Sequence, residues 1–190
     1  MQYLYHGSVI RGITKLNANS KLHNADIHVI YLTDNIPYAL FYIWDEKRLG
    51  FGGKHVTGWI KNGIAYYEEQ FPEQLKTFYK GASGYLYCIT KHSDFSAVED
   101  REGMFYRSTD AVVDKKIYIA DVYAELMQYE AIGKLKVLRY NDQSEQRQNE
   151  LTDMITAFII KRDFYNNDPA RAMFMKKYFI NAWKKAEERQ

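Results

Sequence analysis

The chain reads as an α+β protein with a largely antiparallel or mixed sheet, and three observations predict it. Seven or so short runs of β-branched and aromatic residues are interspersed with helical patterns, without a regular strand–helix repeat. Two of those runs, Val56 to Ile60 and Gly63 to Tyr67, meet across Lys61-Asn62-Gly63, whose Asn-Gly is a strong hairpin signal. Beyond Asn141 the period changes, and Leu151, Met154, Ile155, Phe158 and Ile159 recur at helical spacing. One α+β domain is therefore expected over residues 1–140, with a C-terminal helical extension over 141–190 packed on it.

Taken in order, Gln2 to His6 is a first strand, ended by Gly7-Ser8. Val9 to Leu16 reads as a loop or a turn of helix, and Asn17 to Ser20 as a polar linker. His28 to Leu32 is an unbroken β-branched, aromatic and aliphatic run, hence a strand. Thr33, Asp34 and Asn35 then offer capping side chains, and Pro37 fits the first turn of a helix ending near Gly50. Gly50-Phe51-Gly52-Gly53 neither follows a strand nor opens a helix. It reads as a flexible turn, the alternative being a phosphate contact. Glu68 to Tyr79 is a helix candidate disturbed by Pro72, with Gly81 as end cap. Gly84 to Lys91, Met104 to Arg107 and Lys116 to Ala120 are strands. Asp121 caps a helix closed by Gly133, and Lys136 to Tyr140 is a last strand. In the extension, Asp168 and Pro169 start a second helix, with Met173, Phe174, Tyr178, Phe179 and Trp183 as its apolar stripe.

Composition narrows the function classes. A formal net charge of +2 over 190 residues gives no electrostatic case for nucleic acid or membrane as a bulk partner. No run approaches the ~20 apolar residues of a membrane span. The single cysteine, Cys88, excludes an intrachain disulfide and fits a reducing compartment, so the expectation is a soluble, cytoplasmic protein. Within Tyr85 to Ile89 it reads as an inert core thiol. Seventeen Tyr and ten Phe point to aromatic-lined surfaces as well as aromatic packing.

Two segments carry the chemistry: Leu4-Tyr5-His6-Gly7-Ser8, and Ile30-Tyr31-Leu32-Thr33-Asp34 followed eleven positions after Tyr31 by Tyr42. In order and spacing they resemble the ADP-ribosyltransferase fold, in the branch related to poly(ADP-ribose) polymerases and diphtheria toxin. The resemblance covers roughly residues 3–42 well and the middle of the chain loosely. It implies a split, mixed or antiparallel sheet and a pocket for NAD as substrate, with His6, Gly7, Ser8, Tyr31, Thr33, Tyr38 and Tyr42 on the NAD side. His6 would hydrogen-bond a ribose hydroxyl. The Gly7 backbone would meet the nicotinamide amide, and Tyr31 and Tyr42 would flank the ring, where stacking adds about 1 kcal/mol beyond burial. The bland alternative is a strand-end histidine and core tyrosines.

The family also implies an acidic residue on a later strand to steady positive charge on the ribose. Here Met104 takes the aligned place. Glu102 lies two residues earlier, about 7 Å away on the same face of an extended strand, and is the candidate that would complete a catalytic set with His6 and Tyr42. Glu125 and Glu130 fall on a predicted helix. Two function classes follow from the resemblance: an enzyme transferring ADP-ribose from NAD to a protein, nucleic-acid or small acceptor, and a non-catalytic binding domain that kept the pocket and lost the acid. The related RNA 2′-phosphotransferases rank below both, because they would be expected to show more basic residues around the pocket.

Overall fold

A computed structural model describes residues 2–22 and 26–189. The chain opens with β1 (Tyr3–Ser8), β2 (Lys15–Leu16), β3 (Ser20–Lys21) and β4 (His28–Thr33), then α1 (Ile36–Leu40) and α2 (Glu46–Leu49). A hairpin of β5 (Gly58–Lys61) and β6 (Ile64–Glu68) precedes α3 (Gln74–Tyr79) and β7 (Gly84–Thr90). Short β8 (Ser96–Ala97), β9 (Met104–Arg107), β10 (Ala111–Val112) and β11 (Lys115–Ile119) lead to α4 (Val122–Ala131) and β12 (Leu135–Leu138). Helices α5 (Glu145–Arg162), α6 (Phe164–Asn167), α7 (Pro169–Tyr178) and α8 (Ile180–Glu187) complete the chain.

The protein is α+β, with its strands mostly antiparallel. A large sheet runs β11-β7-β1-β4-β9-β8, with β3 also on β4. A second sheet runs β12-β6-β5, in which β12 and β6 form the one parallel pair among the described residues. Beyond these, β10 pairs with β2. The Asn-Gly hairpin forms as expected, with Asn62 at φ 52° and Gly63 at φ 73°, the left-handed pair that a two-residue turn of the strand's own twist requires.

Period-two alternation divides the core. On β4, Ile30 and Leu32 join Leu4, Leu16, Ile89 and Phe95 in a smaller apolar cluster on one face. Tyr31 packs toward the larger cluster on the other face, beneath α1. That larger cluster runs without interruption from Phe41, Trp44 and Phe78 into Ile155, Phe174, Phe179 and Trp183. The change of period near Asn141 marks a change of architecture, while the apolar packing crosses it. Phe174 lies 4.8 Å ring to ring from Phe51 and 6.0 Å from Trp44.

Three helices differ from expectation, the first being Glu68 to Tyr79, where Glu68 ends β6 and only Gln74–Tyr79 is helical. The segment after Pro37 is not one helix to Gly50: α1 stops at Leu40, and α2 restarts behind Asp45, whose carboxylate accepts the Arg48 N–H. Phe41, Ile43 and Trp44 are all buried and Tyr42 half-buried, so the segment lacks the exposed face of the amphipathic stripe that a helix reading assumes. In the extension the second helix breaks at Phe179, which turns inward against Phe71 and His55. The predicted caps Asn35, Asp121 and Asp168 each accept a backbone N–H from their first turn.

Candidate functional site: a cleft where two strands part

Strands β1 and β4 are neighbours, yet they share a single bridge, Tyr5 opposite Thr33. Continued in register, that pairing would set His6 against Leu32 and Gly7 against Tyr31. The strands separate instead, and β3 joins β4 only at Val29 and His28. A cleft of about 500 Å³ opens in the interval, bounded by His6 and Gly7 on one side and by Ile30 to Thr33 on the other. Tyr42 borders it, and Lys54, Arg101 and Met104 arrive from later loops and β9.

His6 lies across the gap from Tyr31, near enough that the Tyr31 backbone favours its protonated form. Burial, and secondarily the charge of Lys54, hold the imidazole below its usual pKa despite that effect. His6 is therefore neutral at pH 7, with one ring nitrogen a donor and the other an acceptor. Tyr42 is held by its neighbour one turn back: the Tyr38 and Tyr42 hydroxyls lie 3.3 Å apart and their rings 5.7 Å apart. Burial first, then Tyr38, pushes the Tyr42 phenol well above its ordinary range, so it stays protonated.

Gly7 serves a local need of its own. A Cβ there would fall far inside contact distance of the Ala39 carbonyl oxygen and press on Ile43. Glycine is what lets α1 lie across β1 and bring Tyr42 to the cleft.

Of the residues expected around NAD, His6, Gly7, Tyr31, Thr33 and Tyr42 gather on this cleft. The Thr33 hydroxyl is already engaged, donating to the Gly103 carbonyl at 2.7 Å and accepting the Asn35 N–H. Ser8 lies outside the wall, where its Oγ accepts the Ile10 N–H and closes the turn after β1. Tyr38 borders an adjoining cavity of about 410 Å³, which shares Tyr42, Arg101 and Met104 with the cleft.

Glu102 also faces that second cavity and not the cleft. Its two carboxylate oxygens accept the N–H groups of Asn62 and Gly63, at 2.9 and 2.6 Å. The side chain is thus spent clamping the β5–β6 turn. Met104 is buried opposite Thr33 and forms part of the wall between the cavities. Glu125 lies on α4, as does Glu130, which pairs with Arg139.

Sequence reasoning missed the cleft's charge. Among the described residues it is lined by Lys15, Lys54 and Arg101 and by no Asp or Glu. Lys15 pairs with Asp110 at 2.8 Å. Among the described residues, Lys54 and Arg101 have no ion-pair or hydrogen-bond partner for their side chains. Lys54 comes from the glycine-containing turn read as plain loop, and Arg101 from the charged cluster Glu99 to Glu102. Two cations without carboxylate partners facing one concavity make an anion seat. The site's chemical repertoire is therefore an acceptor nitrogen, protonated phenols for stacking, and positive charge for phosphate. No helix of the described residues is long and apolar enough to cross a membrane, and no cluster of potential metal ligands occurs among them. Comparisons with protein-family models, with curated proteins and with solved structures returned no match.

Proposed function

We propose that the β1–β4 cleft binds NAD, and that the protein is an ADP-ribosyltransferase-like NAD-binding domain. The observation that carries this reading is the interrupted pairing of β1 with β4. It gathers His6, Gly7, Tyr31 and Tyr42, four residues from two separate sequence motifs, around one concavity. The residues fit the ligand in three respects. Tyr31 and Tyr42 offer aromatic surface to the nicotinamide ring. His6 keeps one nitrogen as an acceptor for a ribose hydroxyl. Arg101, which has no carboxylate partner among the described residues, brings positive charge for the pyrophosphate.

Transfer chemistry has weaker support than binding. A cationic ribose needs a fixed negative charge, and no carboxylate lines the cleft. Binding without efficient transfer is therefore the favoured form of the reading. The same carboxylate-free, cationic lining favours a second reading, an RNA 2′-phosphotransferase-like enzyme, for which a phosphate on the acceptor would supply the negative charge.

One experiment separates these. The protein is incubated with NAD labelled in its adenylate part, alone and with an RNA bearing an internal 2′-phosphate, and scored for nicotinamide release and labelled product. Saturable retention of label without nicotinamide release supports binding. Release only with the phosphorylated RNA supports the second reading. No retention and no release overturns both.

A further inference from the structure

We propose that Lys54 is a covalent binding site for a phosphorylated aldehyde, its amine forming an imine with a carbonyl held in the β1–β4 cleft. The amine is positioned by its neighbours and not by partners of its own. Four residues back, Gly50 ends α2 in the left-handed conformation, at φ 72°. Phe51 is 5% exposed, and its carbonyl accepts the Trp44 indole N–H at 2.7 Å. On the other side His55 meets the Gln70 side chain at 2.8 Å and packs 4.8 Å from the Phe179 ring. A Cβ at Gly53 would collide with the Phe51 ring and crowd the Arg171 guanidinium, so the turn is compact because that position is glycine. Between two anchored residues, Lys54 extends to the cleft wall with Nζ 5.8 Å from the Tyr42 ring centroid.

Most lysines find a carboxylate or open water. Lys54 keeps exposure enough for a ligand to reach it, but no carboxylate lines the cleft to hold its proton. Desolvation by the surrounding wall pulls its pKa down, enlarging the neutral, nucleophilic fraction at pH 7. His6 is close enough to feel its charge and is itself neutral. The Lys54 lone pair attacks the carbonyl carbon, and the carbonyl oxygen takes up a proton. The nitrogen gives up a proton to leave a carbinolamine. Its hydroxyl takes up a second proton and departs as water as the carbon–oxygen bond breaks and the C=N bond forms, and the nitrogen releases its second proton. Amine and aldehyde give imine and water, with no redox change, and His6 is the group placed to carry the proton. Arg101 on the same wall selects an aldehyde with a phosphate.

Pyridoxal 5′-phosphate is the probe. The full chain is exposed to substoichiometric reagent at pH 7, reduced with borohydride, and its modified lysines are mapped by peptide mass spectrometry. The expected result is labelling at Lys54 about tenfold above Lys47, the direction that its lowered pKa and its place on a cationic cleft both favour. Inorganic pyrophosphate should suppress it. Lys54→Arg, which keeps the charge, should abolish it, and His6→Gln should slow imine formation and shift its pH profile. Labelling spread over surface lysines in the wild-type chain, or labelling at Lys54 indifferent to pyrophosphate, would overturn the assignment whatever the variants do. Failure of NAD to bind would leave this result standing, since the probe carries no nicotinamide.

Discussion

His6 and Tyr31 face one another across the gap where β1 and β4 have stopped pairing, and both line the cleft. That one relationship joins the two sequence motifs into a single site.

The first prediction concerns what shapes the cleft. Gly7→Ala sets a methyl against the Ala39 carbonyl, a backbone atom that cannot swing away. Overpacking of this kind costs about 1–3 kcal/mol. In a domain of this size the melting temperature should fall by about 2–4 °C for each kcal/mol. Thermal denaturation of the variant checks it, and an unchanged midpoint would mean that α1 does not bear on β1 as described.

The second separates clamp from catalyst. Glu102→Gln removes one of two charge-assisted acceptors on the Asn62–Gly63 turn and should cost about 1 kcal/mol of stability. It should not alter any NAD turnover, because the carboxylate faces away from the cleft. Met104→Glu places an acid on the wall shared with Tyr42 and Arg101, and nicotinamide release should rise above wild type. Turnover that drops in Glu102→Gln at unchanged stability would return Glu102 to a catalytic role.

How far the sequence could be read follows the range of the forces involved. Asn35 as cap, Pro37 in the first turn, the Asn62-Gly63 hairpin and the Asp168-Pro169 helix start are local devices, and all are present. The pairing of His6 with Tyr31 on one cleft was legible only through a motif resemblance, because 25 residues separate them. Lys54 and Arg101 left no local signal. They reach the cleft through tertiary anchoring, Phe51 under Trp44 and the 101–103 segment against the Thr33 hydroxyl. The boundary near Asn141 was visible as a change of period, but periodicity does not report what a helix packs on. Phe174 and Trp183 lie in the same apolar cluster as Trp44 and Phe78.

The third prediction is a pH dependence. Burial holds both His6 and His55 below the ordinary value of 6.5 in the folded chain. The unfolded chain therefore binds more protons wherever pH lies below that value, so stability rises with pH through this window and is lost as pH falls beneath about 6.5. The urea midpoint should be lower at pH 5.5 than at pH 7.5. His55→Phe should flatten part of that slope, since His55 is wedged among Phe78, Phe174 and Phe179 and its protonation is opposed chiefly by burial. A midpoint independent of pH in the wild-type chain would contradict the burial of these two rings.

The most direct measurement is a calorimetric titration of NAD into the wild-type chain, His6→Ala and Tyr42→Ala, with the melting temperature of each recorded. Saturable binding by the wild type is expected. Each variant should bind at least about tenfold more weakly, a loss near 1.4 kcal/mol in affinity. His6→Ala deletes a half-buried polar ring and should lose only about 1 kcal/mol of stability. Absence of NAD binding by the wild type would contradict the account, and so would variants that bind NAD unchanged while losing several kcal/mol of stability, because these residues would then be core and nothing more.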